Sequence, residues 1–229
     1  MTKEIRQLRF LRPPGAAELF LVRHGESAGA VEGEPFPLVD GQGDPPLREE
    51  GHEQARRVAE RLAGEDISAI YVSTLQRTAQ TAAPLAERLG LEPRVEADLR
   101  EVHLGEWEGG LFRKHVAEAH PLAVKMRLEQ RWDVIPGAEP ADEFRARVRR
   151  VITALAERHA DETIAVFAHG GTIGEVLAMA TGARPFAFTG ADNGSISQIV
   201  MLGDTWTVRR YNDTAHLQLA LSSAPQPLT

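Results

Sequence analysis

Apolar positions recur along this chain with two periods. Short apolar runs at 18–22, 67–72, 95–99 and 163–167 read as buried strands. Longer stretches carry helical spacing. In 47–62, Ala55, Val58, Ala59 and Leu62 fall on one face, and in 141–159, Phe144, Val148, Val151, Ile152 and Leu155 do the same. Further helices are predicted at 74–89, with Pro84 a kink or local break, and at 172–180. A hairpin is predicted over 196–202 and 205–211, turning at Gly203-Asp204. The remainder is less regular. Residues 1–17 read as an arm or edge element closed by Pro13-Pro14-Gly15, 28–46 as a long Gly/Pro/Asp loop, 105–138 as irregular or helical, and 217–229 as a flexible tail. Strands alternating with helices predict an α/β fold. It is a layered α/β/α sandwich with a mostly parallel central sheet, helices on both faces and a small inserted cap at about 105–138. All 229 residues are expected to form a single domain.

Composition narrows the function. Net charge is −7, from 26 basic and 33 acidic residues, which argues against a nucleic-acid partner and requires any anion site to be a local positive pocket. Cysteine is absent, so disulfides, thiolate metal sites and cysteine nucleophiles are excluded. No apolar run approaches the ~20 residues that span a membrane. The N-terminus lacks a signal-peptide core, and a cytoplasmic location is expected.

Five stretches carry candidate chemistry. Phe20 to Ser27 ends a strand on Arg23-His24-Gly25. The Arg23 guanidinium is a fixed anion fork, a neutral His24 offers a lone pair to phosphorus, and Gly25 lets the backbone approach a ligand. Ser73 to Ala82 follows a strand and opens a helix with Arg77 in its first turn, where a cation opposes the helix dipole unless an anion meets it. Ala168 to Ile173 delivers His169 to the sheet edge, with Gly170-Gly171 leading into a helix whose free N–H groups suit an anion. Leu99 to Gly109 holds three carboxylates. Glu101 lies nearest the strand end and is chosen as general acid, since a neighbouring phosphate dianion favours the proton-carrying carboxyl. Gly41 to Asp44 offers the Gln42 amide beside glycines. Taken singly, the Arg23-His24, Arg77 and Gly41 to Asp44 stretches read first as a charged loop, a solvated helix face and a turn, and His169 reads equally well as a structural histidine. A metal between His24 and His169 is a further chemical reading, but no closely spaced carboxylate–His set accompanies the pair, and no metal is assigned.

Together these stretches resemble the histidine phosphatase superfamily, also called phosphoglycerate mutase-like, over about residues 18–216. Asp44 to Ala55 and Asn193 to Ser197 add to the match. The resemblance implies that His24 attacks phosphorus to form phosphohistidine. Arg23, Arg77 and His169 hold the phosphoryl oxygens, Glu101 protonates the leaving oxygen, and Gln42, Gly43 and Gly170 add phosphate contacts. It implies no cofactor. The expected partners are a small phosphorylated substrate and inorganic phosphate, with a homodimer left open. The short span from Glu101 to His169 resembles the phosphatase branch. Phosphoglycerate mutase or bisphosphatase activity, and a non-catalytic phospholigand-binding module, are the alternatives. Ala30 departs from the family pattern, which often has Asn there. Substrate selection is expected in the cap, with Trp132 and Arg131 as candidate selectors.

Overall fold

A computed structural model describes residues 7–217. In chain order the elements are β1 (Ala17–Arg23), a small hairpin of β2 (Leu38–Val39) and β3 (Gln42–Gly43), α1 (Glu49–Leu62), β4 (Ile67–Val72), α2 (Gln76–Leu89) and β5 (Arg94–Val95). There follow α3 (Leu111–Ala117), α4 (Pro121–Glu129), α5 (Ala141–Arg158), β6 (Thr163–Ala168), α6 (Gly170–Thr181), β7 (Ile196–Leu202) and β8 (Thr205–Asp213). Six strands form one sheet in the order β5-β4-β6-β1-β7-β8. The first four pair in parallel, and β7 pairs antiparallel with both β1 and β8.

The central strands are apolar on both faces because both faces are covered. Phe20 and Val22 of β1, Ile70 and Val72 of β4 and Phe167 of β6 pack with Val58, Leu62 and Leu85 of α1 and α2. Leu19 and Leu21, Tyr71, and Ile164 and Val166 point the other way, toward Phe144, Val148 and Ile152 of α5 and Val176 of α6. A one-residue slip would exchange the two faces, so the pattern fixes the register of the β1–β6 pair, Leu21 opposite Val166.

Four local expectations are corrected. The strand expected at 95–99 shrinks to Arg94–Val95 and gives way to a short 3₁₀ turn at Ala97–Leu99. The long 28–46 loop contains the β2–β3 hairpin. Its Asp40-Gly41 turn has positive φ at both residues, the conformation that suits Asp-Gly in a two-residue hairpin. α2 runs through Pro84 without ending. α6 begins at Gly170, directly after His169, instead of at 172. The ends of the 105–138 segment meet: a Cβ on Gly105 would lie 2.2 Å from the Gly137 carbonyl carbon, and Glu106 N donates to Pro136 O at 2.9 Å. Apart from Leu217, the tail expected at 217–229 lies outside the described residues, as do residues 1–6 of the arm.

Candidate active site

Parallel strands deliver their C-terminal ends to one edge of the sheet, where ligands of open α/β sheets collect. β1 ends at Arg23-His24, β4 leads to Ser73 and β6 to His169. The rings of His24 and His169 lie edge to face, with centroids 5.1 Å apart. His24, Arg77, Glu101, Gln42 and Gly43 line one cleft, together with Phe36, Leu104, Trp107, Glu108, Phe112 and Arg113. Arg23 and His169, at 1% and 0% exposure, are buried behind that wall instead of lining it.

The His24 ring is held in one tautomer. Nδ1 lies 2.7 Å from Gly25 O, which only accepts, so Nδ1 carries the hydrogen. Nε2 accepts from Arg77 Nε at 3.2 Å. Burial, then Arg77 and Arg23, push the His24 pKa well below its ordinary value, and the ring is neutral near neutral pH. His169 is lowered in the same way, by burial first and then by Arg77. Its Nε2 pairs with Ser73 Oγ at 2.9 Å, while Nδ1 is buried with no hydrogen-bond partner. Burial pulls both Arg23 and Arg77 down to about 10, and they remain charged. Arg23 Nη1 donates to Ala191 O. Arg77 Nη1 donates to Gly43 O at 3.0 Å and faces Asp44 at 3.7 Å.

The Glu101 carboxylate sits on the N-terminus of α6. It accepts from Gly171 N at 2.8 Å, Thr172 N at 3.0 Å and Val102 N at 3.0 Å. The group met by this helix terminus is therefore the Glu101 carboxyl, and the N–H groups it takes are those of Gly171 and Thr172 and not that of Gly170. A Cβ on Gly171 would stand 2.5 Å from Glu101 Oε1, so glycine is required there by close approach. The Glu101 carbonyl is gripped as well. Gln42 Nε2 donates to it at 2.8 Å and Arg147 Nη2 at 3.2 Å. Arg147 also donates to the carbonyls of Asp98 and Arg100 and pairs with both oxygens of Glu139.

Other sequence expectations shift. The Gln42 amide thus spends one donor on Glu101, and the Gly43 N–H is taken by Glu108 Oε2 at 2.8 Å. Gly25 serves packing: a Cβ there would lie 2.5 Å from Gly51 O, so it lets α1 close on the loop after β1. Trp132 is buried among Phe112 and Phe186, and Arg131 pairs with Asp133 at 2.6 Å; neither lines the cleft. Ala30 borders an adjoining outer groove. The sequence reading gave no role to Asp44, which accepts from Gln76 N at the start of α2 and faces Arg77. Nor did it single out Asn193, which donates to His24 O at 2.9 Å, or the Glu139–Arg147 pair. Asp44 and Asn193 stand inside recognised motifs and were findable there. Arg147 lies mid-helix and carries no local signal. Among the described residues, no group of three or more His, Asp or Glu is arranged to hold a metal ion, and no helix is long and apolar enough to cross a membrane.

The family model of the histidine phosphatase superfamily (branch 1) matches residues 19–214, spanning every residue of this cleft. The chain belongs to the histidine phosphatase superfamily. Its similarity to phosphoglycerate mutase-like protein 4 of Arabidopsis thaliana is 35% identity over 209 residues, covering 88% of this chain and 87% of that one. A metal-independent phosphoserine phosphatase of the same plant is 31% identical, covering 87% and 83%. Among solved structures, mycobacterial glucosyl-3-phosphoglycerate phosphatase superposes with a TM-score of 0.72 at 30% identity, covering 87% of this chain and 100% of that chain. This histidine phosphatase thus has phosphatases and a mutase-like protein among its relatives.

Proposed function

We propose that the protein hydrolyses small phosphomonoesters through a phosphohistidine at His24, with no metal in the reaction. The observation that carries this reading is the single tautomer of His24: its Nδ1 hydrogen is anchored on Gly25 O, and its Nε2 lone pair faces into the cleft against Arg77. In the first step Nε2 attacks phosphorus, and the bond from phosphorus to the leaving oxygen breaks. Glu101 gives that oxygen its proton and an alcohol departs. In the second step water attacks phosphorus, the P–N bond breaks, and Glu101 takes the water's proton. The products are inorganic phosphate and free His24.

Arg23 and Arg77 supply two fixed positive charges for the equatorial oxygens, where phosphoryl transfer gains most from electrostatic stabilisation. The unpartnered Nδ1 of His169 is suited to a further oxygen. Gln42 has a second amide proton to offer, and the Gly170 N–H stands at the same helix start. Gly43 contributes through its carbonyl, which orients Arg77. The named activities of the phosphoserine and glucosyl-3-phosphoglycerate phosphatases support hydrolysis.

Acid-labile, base-stable radiolabel on the protein after brief mixing with a labelled phosphomonoester tests the intermediate. His24→Ala should abolish the label and cut turnover roughly 10³-fold or more. Turnover near the wild-type rate in that variant would remove the mechanism. Release of free phosphate without an isomerised phosphoglycerate, in the presence of chelator, separates hydrolysis from mutase and metal-dependent readings. Binding without any turnover would mark a ligand-binding module.

A further inference from the structure

One cation at the cleft has no role in the steps above. Arg113 of α3 lines the cleft that holds His24, Arg77 and Glu101, and also lines the adjoining groove beside residues 30–35. It is half-buried. Its Nη1 donates to Ala28 O at 2.6 Å and its Nη2 to Ser27 Oγ at 2.8 Å, and the guanidinium lies 5.2 Å from the Phe36 ring centroid. These three contacts fix its position. All of them are to neutral groups; no Asp or Glu among the described residues forms an ion pair with it, and the charge of Glu26 acts on it from beyond ion-pair distance. Burial makes this charge costly and Glu26 offsets it only from a distance, so a fixed, half-buried guanidinium at a cleft wall is set to receive an anion in direct contact.

Position decides which anion. In the proposed reaction the phosphoryl group takes the inner end, where the charges of Arg77 and Arg23 act on His24. Arg113 stands at the junction of cleft and outer groove, lining both. Glu108 shares that junction, lining both spaces. Its Oε1 accepts from Leu104 N and its Oε2 from Gly43 N, each at 2.8 Å, so this negative charge is also held in place. Phe36 and Phe112 give the cleft apolar surface beside the two charges.

Resting on the phosphatase reading above, we propose that Arg113 and Glu108 form a leaving-group subsite. The substrate class it selects is the phosphate ester of a small hydroxy-amino acid, its carboxylate on Arg113 and its ammonium beside Glu108.

Three esters isolate the charges. O-Phosphoserine carries both, phosphoethanolamine lacks the carboxylate, and 3-phosphooxypropanoate lacks the ammonium. The wild-type protein should show the highest kcat/KM for O-phosphoserine. Arg113→Met should lower the phosphoserine-to-phosphoethanolamine ratio of kcat/KM by roughly 10- to 100-fold, the worth of charge-assisted hydrogen bonds. A wild-type protein indifferent to the carboxylate overturns the proposal, and that measurement needs no variant to fold. A parallel fall for both esters in Arg113→Met also overturns it, since Arg113 would then serve the phosphate or the loop. Calorimetric binding of the same esters to His24→Ala protein ranks them without turnover. A preference for phosphoserine there supports the subsite even if the chemistry proposed for His24 fails, and equal affinities overturn it.

Discussion

Arg77 Nε donates to His24 Nε2 at 3.2 Å, so the guanidinium occupies the lone pair that an attacking imidazole must use. The contact holds the ring in its unprotonated form and aims it at the position where an anion would displace the arginine. Arg77 is also the largest charge lowering the His24 pKa after burial. Replacing Arg77 with Met should therefore raise the titration of His24 toward 6.5, its ordinary value, read by NMR of the imidazole. The same variant should lose roughly 10²- to 10³-fold in kcat/KM. An unmoved His24 titration would show that Arg77 has no part in setting its proton affinity.

Gly171→Ala tests the seat of the proton donor. The new methyl would collide with Glu101 Oε1, and the carboxylate cannot yield without losing donors at the start of α6. Turnover of alkyl phosphates should fall roughly 10²-fold or more, within the range of general acid catalysis. p-Nitrophenyl phosphate, whose leaving group departs without a proton, should suffer much less. Equal losses on both would place the damage elsewhere.

Arg147 is a positioning residue. It grips the carbonyls of Asp98, Arg100 and Glu101 while pairing with Glu139, and it holds the segment that presents the carboxylate. Arg147→Met should reproduce the leaving-group dependence of Gly171→Ala in weaker form. Arg147→Lys should rescue little, because a lysine cannot bridge several acceptors with a planar fork. Full rescue by lysine would reduce Arg147 to a countercharge for Glu139.

Stability should fall in acid. His24 and His169 both titrate well below 6.5 when folded. As pH drops below 6.5, the unfolded chain binds protons at these rings that the folded protein does not. Each histidine then removes stability at up to about 1.4 kcal/mol per pH unit until its folded pKa is reached. Denaturant unfolding from pH 7 to pH 5 should show this loss, and it should be smaller in His169→Asn. An identical slope in that variant would assign the acid sensitivity to other groups.

The apolar rhythm by itself determined the layered architecture. Strands such as 18–22 and 163–167 are buried on both faces, and a sheet covered by helices on both sides accommodates them. The motif residues were legible because strand ends and helix starts are local features, and several such stretches in one order single out Arg23, His24, Arg77 and His169 together where each alone would not. Tertiary structure decided the rest. Glu101 receives its donors from a helix 70 residues further along, Arg147 reaches back from mid-α5, and Arg113 faces the cleft while Trp132 turns into the core. Their side chains take their meaning from partners distant in sequence, and burial and hydrogen-bond direction exist only once the chain has closed on itself.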